Sequence, residues 1–158
     1  MKKSLLLACT IISVLSADSG TAVKEDNMPG FSAYLSSFDY DERRAMKIGT
    51  REMLELYSEG KAQLIDIRFK DEYEAWHLGI GKNIPLNELP SRLAELDRSK
   101  LIVTMCPHSD RAGIARLYLK LKGFDARYLT DGLLGTADYL RGERAEDFMT
   151  NIKTKEKR

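Results

Sequence analysis

The chain has only two cysteines and two histidines in 158 residues. They are too few and too scattered for the paired ligand spacing of a zinc site, so no metal is expected. A Gly-rich phosphate loop, internal repeats and low-complexity tracts are also missing, and no cofactor is expected. Neither sign of charge is in excess, since 25 Lys and Arg face 24 Asp and Glu. This balance argues against a nucleic-acid partner or a charged membrane surface. Long hydrophobic runs are absent as well. The apolar stretch from Leu5 to Leu15 is too short to span a bilayer.

That stretch follows Lys2 and Lys3 and precedes the small residues Ser16 and Ala17. The pattern predicts a secretory signal peptide over 1–17, cleaved after Ser16 or Ala17, and an exported, periplasmic protein with no membrane attachment afterwards. Leu6-Leu7-Ala8-Cys9 loosely resembles a lipoprotein processing box, which would instead leave Cys9 as a lipidated amino terminus. So few apolar residues precede Cys9 that its loss with the peptide is the favoured reading. Cleavage leaves 23 basic against 24 acidic residues, and Cys106 as the one remaining thiol. A single thiol in an oxidising compartment cannot staple the chain. It is either a small buried hydrophobe or a reactive group.

About 140 residues would remain, enough for one domain with one core. Residues 18–46 read as a polar lead-in, broken by Gly20, Pro29 and Gly30, and a short aromatic segment carrying Phe31, Tyr34, Leu35, Phe38 and Tyr40. That segment predicts a short surface helix, packed on the domain or docking a partner. Over 47–140, short apolar runs alternate with amphipathic stretches. Strands are expected at Lys47-Ile48 on an edge, at 63–67, 82–84, 101–105 and 126–129. Helices are expected from an N-cap at Thr50 to Gly60, at 71–76, at 89–96 with Leu89, Leu93 and Leu96 inward, and at 132–140. Another helix is expected at 111–122, with Ile114, Leu117, Tyr118 and Leu121 inward and Ala112 and Ala115 widening the stripe. Residues 141–158 read as a charged tail, solvated or frayed.

Strands alternating with helices predict an α/β fold, a central parallel sheet with helices on both faces, which binds ligands at the carboxyl ends of its strands. Cys106 leaves such an end, after Leu101 to Met105, and is followed five residues later by Arg111. A cysteine between a strand and a helix has backbone N–H groups about it that favour an anionic sulfur, which makes Cys106 a candidate nucleophile. Asp66-Ile67-Arg68 leaves the neighbouring strand toward the same rim. A salt bridge holding adjacent turns is as simple a role for Asp66 and Arg68 as a part in chemistry.

Three stretches resemble the single-domain rhodaneses, over about Ile48 to Leu140. Leu64-Ile65-Asp66-Ile67-Arg68 with Glu72-Tyr73 is similar to the family's opening Asp-x-Arg block. Trp76-His77-Leu78 with Asn83-Ile84-Pro85 is similar to its Gly-His-Ile-Pro-Gly-Ala-x-Asn-Ile-Pro segment, with Trp76 where glycine is usual. The cysteine loop, then Gly123-Phe124-Asp125 and Tyr128-Leu129, resembles the closing helix and strand.

The resemblance implies a rhodanese-like domain and a sulfurtransferase. Cys106 would cycle between thiolate and persulfide, taking a sulfane sulfur from thiosulfate, a polysulfide or a persulfide. It would pass that sulfur to a thiol, to cyanide or to a sulfur-accepting protein. Pro107 to Arg111 would curl around the sulfur as a nest of N–H groups, lowering the thiol pKa, with His108, Ser109, Asp110 and Arg111 as substrate-binding residues and Asp66 and Arg68 in support. Related phosphatases place five residues between cysteine and arginine, whereas four stand here, a ring sized for sulfur. Asp110 in that ring opposes anionic thiosulfate as well as phosphate. His108 could offset that charge or handle a proton, and Arg111 could equally brace the loop by bridging Asp66 or another acid. His77 reads as structural. Asp131-Gly132-Leu133 replaces the family's paired glycines, and a tryptophan usual soon after is missing. The alternative is an exported sulfur-carrier or binding module without turnover, serving a partner protein through the Phe31 to Met46 segment.

Overall fold

The computed structural model describes residues 30–156. The expected signal peptide at 1–17, Cys9, and the lead-in over 18–29 lie outside them. Five strands form one parallel sheet: β1 (Lys47–Ile48), β2 (Ala62–Asp66), β3 (Lys82–Asn83), β4 (Leu101–Met105) and β5 (Ala126–Leu129). Their order is β1-β5-β4-β2-β3, so β4 is central and β1 is an edge, as expected. Helices α1 (Phe31–Ser36), α2 (Tyr40–Ala45), α3 (Thr50–Ser58), α4 (Lys70–Ala75), α5 (Asp110–Leu121), α6 (Gly132–Tyr139) and α7 (Glu143–Glu156) surround it. None of them is long and apolar enough to cross a membrane.

Both faces of β4 are covered, which is why its sequence is apolar at Leu101, Ile102, Val103 and Met105 rather than alternating, with the one hydroxyl, Thr104, donating to the Ala112 carbonyl at 2.8 Å. Ile102 packs with Ile65, Ile67, Ala112, Ala115 and Leu119 on one face, while Val103 and Met105 pack with Met53, Leu64 and Leu133 on the other. Pairing of Asp66 with Met105 ends β2 and β4 at the same level. The residues that follow each strand, Ile67-Arg68 and Cys106, therefore meet at one rim.

Several expectations are corrected. The aromatic segment folds as two short helices, α1 and α2, because Asp39 stops the first and caps the second by accepting from the Glu42 N–H at 2.8 Å. Gly49, not Thr50, is the N-cap of α3. Thr50 is buried and donates its N–H to Asp131 Oδ2 at 2.7 Å, while its hydroxyl meets that of Thr136 at 3.0 Å. Residues 89–96 form two 3₁₀ turns, Leu89–Ser91 and Leu93–Glu95, separated at Arg92. Pro90 disfavours the α conformation at Leu89 before it, and Arg92, at φ −114° and ψ 14°, breaks the run, so the segment tightens into short turns, although Leu89 and Leu96 are buried as expected.

Helix α5 is rotated from the expected face. Ala112, Ala115, Arg116 and Leu119 are buried, whereas Ile114 is 59% exposed. The small alanines let the helix approach β4 and β5 closely, and the bulkier Leu117, Tyr118 and Leu121 are left half-buried at its sides. The tail is not frayed within the described residues. Phe148 and Ile152, four apart on α7, pack against the core beside α3, which supplies the apolar contact a charged helix needs.

Candidate active site

Cys106 directly follows β4 and is fully buried. Its surroundings are set by the start of α6. The Leu133 N–H donates to the Cys106 carbonyl at 2.9 Å and the Leu134 N–H to the Pro107 carbonyl at 3.3 Å. These are otherwise orphaned donors of a helix amino terminus. Gly132, at φ +64°, lies so close that a Cβ there would sit 2.3 Å from the Pro107 oxygen and 2.4 Å from the His108 oxygen.

Because a peptide is planar and trans, a carbonyl drawn toward α6 turns the next N–H the other way, toward the sulfur. Accordingly the His108 N–H lies near enough to Cys106 to favour its ionised form. The Ala112 N–H, from the first turn of α5, approaches Sγ at 3.4 Å. The departure Asp131-Gly132-Leu133 is thus divided: Asp131 caps α3, while Gly132 and Leu133 hold the loop.

Asp110 changes the expected electrostatics. The Cys106 thiol donates to Asp110 Oδ1 at 3.5 Å. Burial pushes the thiol up from its ordinary value and the carboxylate adds to this, against the opposing pull of the Ala112 and His108 N–H groups. The expected lowering of the thiol is therefore corrected: in this state the cradle is outweighed by desolvation and one acid. Asp110 itself is exposed, and its carboxyl is held below the usual range by the Arg111 N–H first, then by the thiol. It occupies backbone donors that would otherwise face an incoming anion.

Arg111 does not point at the sulfur. Its guanidinium forms a two-pronged pair with Glu72 on α4, Nη1 to Oε2 at 2.7 Å and Nη2 to Oε1 at 2.8 Å. This pair holds the Glu72 carboxyl at about 2, with the Phe69 N–H assisting and desolvation opposing. Glu72 and not Asp66 is thus the acid that Arg111 bridges. Because the folded carboxyl lies below its unfolded value near 4.5, Glu72 contributes stability that is complete above about pH 4.5 and is lost as pH falls through about 2. Urea midpoints of wild type and Glu72→Gln should differ at neutral pH and converge near pH 2. An equal difference at both ends would remove the pair from the account.

Asp66 and Arg68 form a buried ion pair. Arg68 Nη2 meets Asp66 Oδ2 at 2.6 Å and Nε meets both carboxylate oxygens at 3.0 and 3.1 Å. Arg68 also donates to the carbonyls of Glu72 at 3.3 Å and Trp76 at 2.8 Å, and lies 4.3 Å from the Trp76 ring centroid. The Asn83 amide donates to the carbonyls of Asp66 and Arg68, both at 2.9 Å. The pair therefore braces the rim, through α4, Glu72 and Arg111, to the start of α5.

The His108 side chain is exposed and its backbone supplies the contact to sulfur. Ser109 is the N-cap of α5 without a side-chain cap bond. His77 stacks on Tyr73 at 4.4 Å, and its Nδ1 lies 3.1 Å from the Tyr73 carbonyl oxygen. Sequence reasoning quoted Glu72 and Asn83 only as motif letters and assigned no holding role to Gly132 or Ala112. The acid three residues into a short helix was a legible signal for Glu72.

Residues 50–137 match the family model for the rhodanese-like domain. An uncharacterised Bacillus subtilis protein, YqhL, is 33% identical over 98 residues, which are 62% of this chain and 76% of that one. The structure of a reduced Bacillus anthracis protein, CoADR-RHD, aligns with a TM-score of 0.51 at 29% identity over 57% of this chain and only 16% of that one. A human single-domain sulfurtransferase shares the fold, with a TM-score of 0.54 at 22% identity over 60% of this chain and 96% of its own.

Proposed function

Because the chain belongs to the rhodanese-like domain family, we propose that it is a sulfurtransferase that carries a sulfane sulfur on Cys106. The observation that supports this most is the backbone cradle: carbonyls held by α6, and the His108 and Ala112 N–H groups directed at Sγ. Such donors stabilise negative charge on the cysteine sulfur and on the outer sulfur of a persulfide without reorganising.

In the first half-reaction the ionised Cys106 sulfur attacks the outer sulfur of a donor R–S–SH. The sulfur–sulfur bond of the donor breaks and R–S⁻ departs, taking up the proton shed by the thiol, which leaves Cys106–S–SH and R–SH. In the second, an acceptor thiolate or cyanide attacks that outer sulfur and Cys106 is restored. Arg111 stiffens the start of α5, and Asp66 and Arg68 stiffen the rim behind it. Asp110 disfavours a dianionic donor such as thiosulfate, so an organic persulfide, which carries at most one negative charge, is the better fit. With 1–17 removed as a signal peptide, this chemistry would take place in the periplasm, with a small thiol, cyanide or a protein thiol as acceptor.

Purified protein incubated with polysulfide should gain the mass of one sulfur atom, and Cys106→Ala should not. No gain from thiosulfate, polysulfide or an organic persulfide would overturn the proposal. One observation favours a second reading, a sulfur-carrier module without turnover: the resting thiol is kept protonated first by its burial and then by Asp110. Loading without release of thiocyanate on adding cyanide would select it.

A further inference from the structure

Alongside the cysteine loop, α1 and the outward side of α5 flank an open apolar groove of about 480 Å³. Leu35, Phe38, Met46, Ile114, Leu117 and Tyr128 line it, and Ser109 and Asp110 form the end nearest Cys106. Three of these apolar side chains are well exposed: Leu35 at 54%, Phe38 at 42% and Ile114 at 59%. The rotation of α5 described above places Ile114 here instead of in the core.

The one cation in the lining is already neutralised. Arg116 is buried, pairs with Glu42 Oε1 at 2.5 Å and donates to the Tyr34 hydroxyl at 2.8 Å and to the Ala126 carbonyl at 3.0 Å. Asp110 leaves the cysteine end of the groove negative. An anionic body is thus disfavoured along its length, while an uncharged apolar one gains contact without meeting an unpaired charge. The volume falls within the range of small-organic-ligand sites.

We infer that this groove is the subsite for the organic body of a low-molecular-weight persulfide donor R–S–SH in which R is an uncharged alkyl or aryl group. Asp110 and Ser109 stand between the groove and the sulfur, so a body seated against Ile114 and Leu35 directs its sulfur end at the Cys106 cradle. The transfer is the one already written: the outer sulfur passes to Cys106 and R–SH leaves with the proton. This rests on the sulfurtransferase reading and adds the class of donor to it.

The test compares loading of Cys106, read by mass, from benzyl persulfide and from inorganic polysulfide in the full chain. Ile114→Asn removes apolar wall, and Gly113→Phe fills the groove from a position where a Cβ meets nothing within 4 Å. Each should lower the ratio of benzyl to inorganic loading efficiency about tenfold, the scale of lost apolar contact in a specificity pocket. An unchanged ratio, or equal slowing with both donors, overturns the subsite. So does loss confined to sulfur exchange with a protein thiol, which would assign the groove to a macromolecule. In parallel, phenylmethanethiol binding to Cys106→Ala, followed by shifts of the Leu35 and Ile114 methyl signals, reads the groove without turnover. If neither donor loads wild type, the sulfurtransferase reading fails, while this binding measurement still decides the groove.

Discussion

Replacing Asp110 with glycine is expected to make Cys106 react with neutral iodoacetamide about tenfold faster at pH 7, with the midpoint of the rate–pH profile moved to lower pH. Thiolate is the reacting form, and each unit removed from a raised thiol pKa multiplies its population tenfold. The substitution removes the acceptor that holds the thiol proton at 3.5 Å and the charge that opposes ionisation. It also frees the Arg111 N–H that the carboxylate occupies. The desolvation of Cys106 remains, so the thiol should not fall to the strongly acidic range of an exposed helix-terminal cysteine. Thiosulfate turnover should rise in the same variant, because the repelling carboxylate is gone. A rate–pH midpoint that stays in place would mean that burial alone sets the thiol, and unchanged thiosulfate turnover would clear Asp110 of selecting the donor.

Gly132→Ala should damage both stability and sulfur loading. At φ +64° an alanine costs on the order of 1–3 kcal/mol from backbone strain alone. Its Cβ would also collide with the Pro107 and His108 carbonyls, which cannot retreat without turning their peptide planes. That rotation takes the His108 N–H away from the sulfur. Loss of one such donor typically slows an anion-stabilising step roughly a hundredfold. Gly60→Ala is the matched control, since Gly60 has φ +71° and nothing within 4 Å of an added Cβ. It should show the backbone cost in a thermal melt and leave loading from polysulfide intact. Should Gly132→Ala behave like Gly60→Ala in both measurements, the coupling between α6 and the cysteine loop is wrong.

Much of the fold was legible because a parallel sheet writes strongly into sequence. β4 and β5 fall on the expected residues, since a strand covered on both faces is mostly apolar, as in Leu101-Ile102-Val103, and the helices before β2 and β5 end at Gly60 and Gly123. The errors share one cause: periodicity counts apolar residues without knowing what packs against them. Ile114 belongs to the apolar stripe of α5 by spacing, yet Ala112 and Ala115 face the sheet because only small side chains allow that approach. Arg116, a buried arginine, could not be foreseen without its partner Glu42 on a separate helix. Phe148 and Ile152 were too few to register as a stripe, yet two contacts suffice when a core surface is waiting.

At the site, position was easier to read than charge. Cys106 and the ring of four residues to Arg111 follow from local order. The direction of the thiol shift does not, because it is a contest between burial and N–H groups supplied by α5 and the loop. Arg111 was paired with an acid in one of its two expected roles, but the acid is Glu72, brought across from α4 by the tertiary fold.

The brace running from Asp66 and Arg68 through α4 to Arg111 also bears on time. It fixes the start of α5, and α6 fixes the loop carbonyls, so the frame around Cys106 is stiff on every side but one. The exposed Asp110 side chain, held at its tip by the thiol and the Arg111 N–H, is the part of the cover that can turn aside once those contacts are exchanged. Admission of a substrate then becomes a rotamer change, on the picosecond to nanosecond scale, rather than the microsecond opening of a loop. A site built this way would admit substrate without opening a loop, which leaves the proposed sulfur transfer itself as the slow step.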